Sequence, residues 1–128
     1  METIIREGTP KTPFVRFDGE KGLVEIKGRS IPENSVEFYK PLIDWLEKYG
    51  STPLKETNVN IQLEYFNTSS SKCILDIFKK LEQLHANGKS RVKVKWFIAE
   101  DDEAMEEAGE EYRMLLTMPF EIVPVAVD

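Results

Sequence analysis

The chain reads as one α/β domain, a mixed but mostly parallel sheet of about five strands in the order β-β-α-β-α-β-α-β, with helices mainly on one face. Three observations predict it. Segments with period-two alternation of apolar residues take turns along the sequence with segments of helical periodicity, which is the pattern of β-α-β units. The interior strands alternate apolar with polar residues instead of running continuously apolar, so one sheet face is open to water. The length of 128 residues suits a single domain, since domains mostly run to about 100–150 residues.

Residues 1–10, METIIREGTP, read as a loosely ordered polar tail. TPFVRFD (12–18) and GLVEIKGR (22–29) follow as short strands, and the turn-forming DGEKG between them makes a hairpin. SIPENSVEFYKPLIDWLEKYG then spaces Val36, Tyr39, Leu42, Ile43 and Leu46 at helical intervals before Gly50, a natural stop. Two starts compete, Ser30 with Glu33 and Asn34 with Glu37, each a capping residue followed by an acid. Pro41 lacks the amide that a helix interior needs and predicts a kink or a late start.

VNIQLEYF (59–66) sets Val59, Ile61, Leu63 and Tyr65 against Asn60, Gln62 and Glu64, a half-buried strand. Beyond FNTSSSK, the stretch CILDIFKKLEQLHANG aligns Ile74, Ile77, Phe78, Leu81 and Leu84 in one stripe, ended by Gly88. RVKVKWFIA (91–99) opposes Val92, Val94, Trp96 and Ile98 to Lys93 and Lys95. EDDEAMEEAGEEYRMLLTMP places Met105, Ala108, Tyr112 and Leu115 on one helical face, closed by Pro119, and FEIVPVAV (120–127) is the last strand. Right-handed crossovers between strands in sequential order put all three helices on the same face. The loops that open them, 30–35, 67–72 and 99–103, then meet at the carboxyl edge of the sheet, where α/β proteins usually bind.

Composition narrows the function. Apolar residues at 41% and charged ones at 31% are an ordinary globular balance, and no apolar run approaches the roughly 18 residues of a spanning helix. The start of the chain lacks the pattern of a signal peptide, so a cytoplasmic protein without membrane contact is expected. Cys73 and His85 are each the sole residue of their kind, which leaves no internal disulfide and no conventional zinc site. The net charge of −6 is concentrated in Glu100–Glu111, where eight acids stand without a base. With no basic cluster, nucleic-acid binding is not expected.

The tract NTSSSK (67–72) carries four consecutive hydroxyls: Thr68, Ser69, Ser70 and Ser71. One of the three serines is expected to cap the helix that follows, but four hydroxyls exceed what one cap requires. A helix N-terminus also favours a phosphate, bound or covalent. Ser69 and Lys72 fit S-x-x-K without the partner motifs of the enzymes that use it. Gly88-Lys89-Ser90 resembles the end of a phosphate loop, yet residue 83 is Gln and the tripeptide precedes a strand, so the match is coincidental. The acidic run lacks EF-hand spacing and reads as a solvated helix face.

PENS (32–35), FYKPLIDWLEKY (38–49), LEYFNTSSSK (63–72) and the acidic third helix together resemble the SiaC family of small bacterial regulatory phosphoproteins, similar in fold to STAS domains. The resemblance implies a single STAS-like regulatory domain over 1–128, without catalysis, metal or cofactor. It implies a partner switch in which a Ser/Thr kinase modifies Thr68 and a metal-dependent phosphatase reverses the modification. The unmodified form would engage a downstream partner such as a diguanylate cyclase, linking the switch to biofilm regulation. Asn67, Ser69, Ser70, Ser71 and Lys72 would surround the phosphosite, and Pro32, Glu33, Asn34 and Ser35 would help dock the partner, as would the exposed side of the second helix. The alternative is a small-ligand or metal-binding protein, or an enzyme, that uses the carboxyl-edge loops.

Overall fold

A computed structural model describes residues 2–126. Its elements are β1 (Ile4–Arg6), β2 (Phe14–Asp18), β3 (Leu23–Ser30), α1 (Ser35–Tyr49), β4 (Glu56–Phe66), α2 (Thr68–Ala86), β5 (Arg91–Ala99), α3 (Glu103–Leu115) and β6 (Phe120–Val125). They form one six-stranded sheet in the order β1-β2-β3-β4-β5-β6. The first three strands pair antiparallel, and β3 to β6 pair parallel.

The extra strand comes from the stretch read as a tail. Ile4, Ile5 and Arg6 pair with Phe17, Arg16 and Val15, and the Trp45 indole N–H donates to the Glu2 carbonyl at 2.6 Å. Three residues are too few for a period to show, so tertiary pairing decides their conformation. The expected strand over 120–127 is seen to Val125, and Val127 lies outside the described residues.

A single core joins alternate strand residues to all three helices. Val15, Phe17, Val24, Ile26, Val59, Ile61, Val94 and Trp96 face Tyr39, Leu42, Leu46, Ile74, Ile77, Phe78, Leu81, Met105 and Tyr112. On the opposite face Gln62, Lys93 and Lys95 stay exposed, so the helices occupy one side only. Helix α1 begins at Ser35 and continues through Pro41, so the late start does not occur. Asn34 is the cap that wins: its side chain accepts from the Glu37 amide at 3.1 Å.

Three residues depart from the expected faces, the first being Val36, which is 71% exposed in the first turn of α1. Tyr65 is 51% exposed because the β3–β4 register shifts, with Gly28 opposite Leu63 but Arg29 opposite Tyr65. The extra residue turns Tyr65 outward, where Arg29 lies over its ring, and brings Phe66 against the core. Leu115 is likewise exposed at the end of α3.

Candidate functional site

Helix α2 starts at Thr68, so the hydroxyl tract is the first helical turn and not a loop ahead of Cys73. No serine caps it. Asn67 is the N-cap, with its Oδ1 accepting from the Ser70 amide at 2.9 Å, and asparagine in extended backbone is among the best caps. The serines are therefore free for other bonds, and each takes at least one.

Ser70 is fully buried. Its hydroxyl donates to the Ser30 carbonyl at 3.0 Å and accepts from Ser30 Oγ at 2.8 Å. The Tyr39 hydroxyl lies 2.6 Å from Ser30 Oγ and, since that oxygen's proton goes to Ser70, Tyr39 is the donor. Burial pushes the Tyr39 phenol up to about 12, opposed in part by the Ser30 hydrogen bond. Ser35 Oγ bridges to Ser69 Oγ at 2.8 Å and lies 3.3 Å from Ser70 Oγ. Ser69 Oγ in turn donates to Asn67 Oδ1 at 3.2 Å. Ser71 Oγ donates to the Tyr112 hydroxyl at 3.0 Å, and Tyr112 donates to the Ser71 carbonyl at 2.9 Å. Burial also raises the Tyr112 phenol, to about 12.

Thr68 differs from all three serines. Like Ser69 it is exposed, but it occupies the first helical position and its hydroxyl makes no hydrogen bond to another described residue. The end of β3, the start of α1 and the start of α2 are thus tied through buried hydroxyls, with one further hydroxyl standing free in solvent.

The remaining sequence candidates sort by position. Ser35 and Pro32 are buried, Ser35 inside the hydroxyl cluster, while Glu33 and Asn34 are exposed beside it. Lys72 is exposed and lines a groove of about 190 Å³ between α2 and α3 with Phe66, Leu75, Glu111 and Leu115. The 99–103 loop is not bonded to the hydroxyl tract among the described residues. Asp102 caps α3 by accepting from the Met105 amide at 3.0 Å, and α3 reaches the tract through Tyr112. Sequence reading missed Ser30, Tyr39 and Tyr112 as members of this cluster. The two tyrosines sit in apolar stripes, where their hydroxyls give no periodic signal.

Among the described residues no group of three or more His, Cys, Asp or Glu side chains could hold a metal ion. No helix there is long and apolar enough to cross a membrane. What the fold and this edge define is a small mixed α/β domain whose distinctive surface is a rigid, solvent-facing helix start. A family model described as SiaC family regulatory phosphoprotein matches residues 6–125. An uncharacterized protein of Pseudomonas aeruginosa strain UCBPP-PA14 is 35% identical over 115 residues, 90% of each chain. The structure of apo-SiaC from Pseudomonas aeruginosa superposes with a TM-score of 0.88 at 33% identity, over 96% of this chain and 99% of that one. A structure of the diguanylate cyclase SiaD in complex with its activator SiaC, from the same organism, matches with a TM-score of 0.89 at 33% identity, over 95% of this chain and 99% of the matched chain. The chain belongs to the SiaC family of regulatory phosphoproteins.

Proposed function

We propose that this protein is a non-catalytic cytoplasmic switch whose unmodified form binds and activates a diguanylate cyclase, and that phosphorylation of Thr68 breaks the complex. A Ser/Thr kinase adds the group and a metal-dependent phosphatase removes it. One observation carries the choice of residue: Thr68 is exposed at the first position of α2, whereas Ser69, Ser70 and Ser71 are hydrogen-bonded to the fold. The cyclase as partner rests on the SiaD complex of the related activator.

The direction of the switch follows from magnitudes. A phosphate adds about −1.5 to −2 charges. At the helix start it gains about 0.3–1 kcal/mol from the dipole. Burying that charge under a partner surface costs several kcal/mol in desolvation and repulsion. The burial cost exceeds the dipole gain, so the phosphate opposes docking. Exposed Val36 (71%) in the first turn of α1 and exposed Tyr65 (51%) at the end of β4 supply apolar surface at the same end of the sheet for a protein partner.

The test measures affinity for the host's diguanylate cyclase using unmodified, Thr68→Ala and Thr68-phosphorylated protein. Unmodified and Thr68→Ala protein should bind alike, with the phosphorylated form weaker by about 100-fold or more, the equivalent of about 2.7 kcal/mol. Equal affinity of all three refutes the switch.

A further inference from the structure

At the sheet edge opposite Thr68, where β3, β4 and β5 begin, an open basin of about 730 Å³ is lined by Lys21, Leu54, Lys55, Glu56, Asn58, His85, Gly88, Ser90 and Arg91. We propose that this basin binds a small molecule carrying two or more linked phosphate groups.

Three cations face one carboxylate in it, although the protein as a whole carries −6. Lys21 and Lys55 pair with no carboxylate among the described residues. Arg91 meets Glu56 at 3.4 Å, but both side chains are more than 60% exposed, so water screens the pair and an anion can compete for the guanidinium. The His85 Nδ1 accepts from the Val92 amide at 3.2 Å, so a neutral ring carries its proton on Nε2, a further donor on a lining residue.

The cation-bearing segments are cross-braced. The Asn58 amide donates to the Gly22 carbonyl and the Arg91 amide to the Lys55 carbonyl, both at 2.7 Å. Beneath them a buried hydroxyl row, Tyr49 to Thr57 at 2.8 Å and Thr57 to Ser90 at 2.6 Å, holds the starts of β4 and β5 to α1. Tyr49 also accepts from the Leu54 amide at 3.2 Å. Gly22 is required here: it has φ +62°, and a Cβ would lie 2.4 Å from the Glu56 carbonyl oxygen. The charges are therefore borne on a preorganised backbone.

Spacing selects the ligand class. Lys21 stands just before β3 and Arg91 opens β5, two strand spacings away, or about 10 Å. A single phosphate would have to draw both cationic side chains together across that gap, whereas a linked pair can meet each one where its own segment places it.

The test is an amide-resolved NMR titration of the full chain with pyrophosphate at constant ionic strength, with sulfate as control. Saturable shifts are expected at 21–23, 54–58 and 88–92, with none at 67–72. Lys21→Ala/Lys55→Ala should weaken binding about tenfold or more, because charge-assisted hydrogen bonds are lost. Glu56→Gln should strengthen it, an opposite effect that misfolding would not produce. Scattered non-saturating shifts, equal response to sulfate, or unchanged affinity in both variants overturns the proposal. So does tighter binding of a glutamate-rich peptide, which would assign the basin to a protein partner. The Thr68 switch is independent of every outcome.

Discussion

Removing the Ser70 hydroxyl probes the cluster that fixes the start of α2. In Ser70→Ala, two neutral hydrogen bonds with Ser30 disappear, to its carbonyl and from its Oγ, along with a longer contact of 3.3 Å to Ser35 Oγ. Each contributes about 0.5–1.5 kcal/mol, so the expected loss is about 1–3 kcal/mol. For a chain of this length that lowers the melting temperature by about 4–12 °C. The Ser30 carbonyl keeps the Asn67 amide at 3.1 Å, which caps the damage. Ser30→Ala keeps the Ser70 bond to the residue-30 carbonyl but leaves the fully buried Tyr39 hydroxyl without its partner, so it should cost more, about 2–4 kcal/mol. In the double variant the Ser30–Ser70 hydroxyl bond can be lost only once, so its cost falls short of the sum by about 0.5–1.5 kcal/mol. Chemical denaturation followed by the fluorescence of Trp45 and Trp96 reads all three. Thr68→Ala is the control and should stay within about 0.5 kcal/mol of the parent. Additive single losses, or a Thr68→Ala loss as large as that of Ser70→Ala, would refute the division into committed and free hydroxyls.

Gly109→Ala tests the seat of α3. An added Cβ would lie 2.6 Å from Trp96 Cδ1 and 2.8 Å from Nε1, against a fully buried indole that donates to the Met105 carbonyl at 3.0 Å. Overpacking of about 1–3 kcal/mol should outweigh a helix-propensity gain of about 1 kcal/mol, and a variant more stable than the parent in urea would contradict this packing. At high pH, Tyr39 and Tyr112, both raised to about 12 from the ordinary phenol value of 10.0, should destabilise the fold. The unfolded phenols ionise first, so the stabilisation is complete below pH ~10 and lost as pH rises toward about 12. Urea midpoints that stay flat across that window would show the two phenols to be accessible.

Alternation and helical periodicity made most of the architecture legible. The stripe Ile74, Ile77, Phe78, Leu81 and Leu84 is buried throughout α2, and Val92, Val94, Trp96 and Ile98 are buried in β5, because each run is long enough for its period to show. What escaped was non-local. The β1 strand is three residues held by pairing, and Tyr65 faces outward through one extra residue that no alternation reveals. At the site, the crowding of hydroxyls was visible but their allocation was not. Any of Ser69, Ser70 or Ser71 was a plausible cap until Asn67 took that role, and the partners Ser30 and Ser35 lie more than thirty residues away.

That allocation favours Thr68 on energetic as well as steric grounds. A kinase must bring the accepting oxygen to a nucleotide phosphate in line, with its lone pairs unobstructed. At Ser70 the oxygen is fully buried, so access requires unwinding the first turn and breaking both its bonds with Ser30. Ser71 would have to release Tyr112, and Ser69 would have to release Asn67 and Ser35. Thr68 requires none of this. In the proposed switch, the same bonds that withhold the serines would keep the helix start in place after modification, so the added charge would change the surface a partner meets and leave the backbone beneath it as it was. A switch of this kind is read by affinity and not by refolding. Its amplitude would be set by how closely the proposed partner packs on residue 68, not by the stability of the domain that carries it.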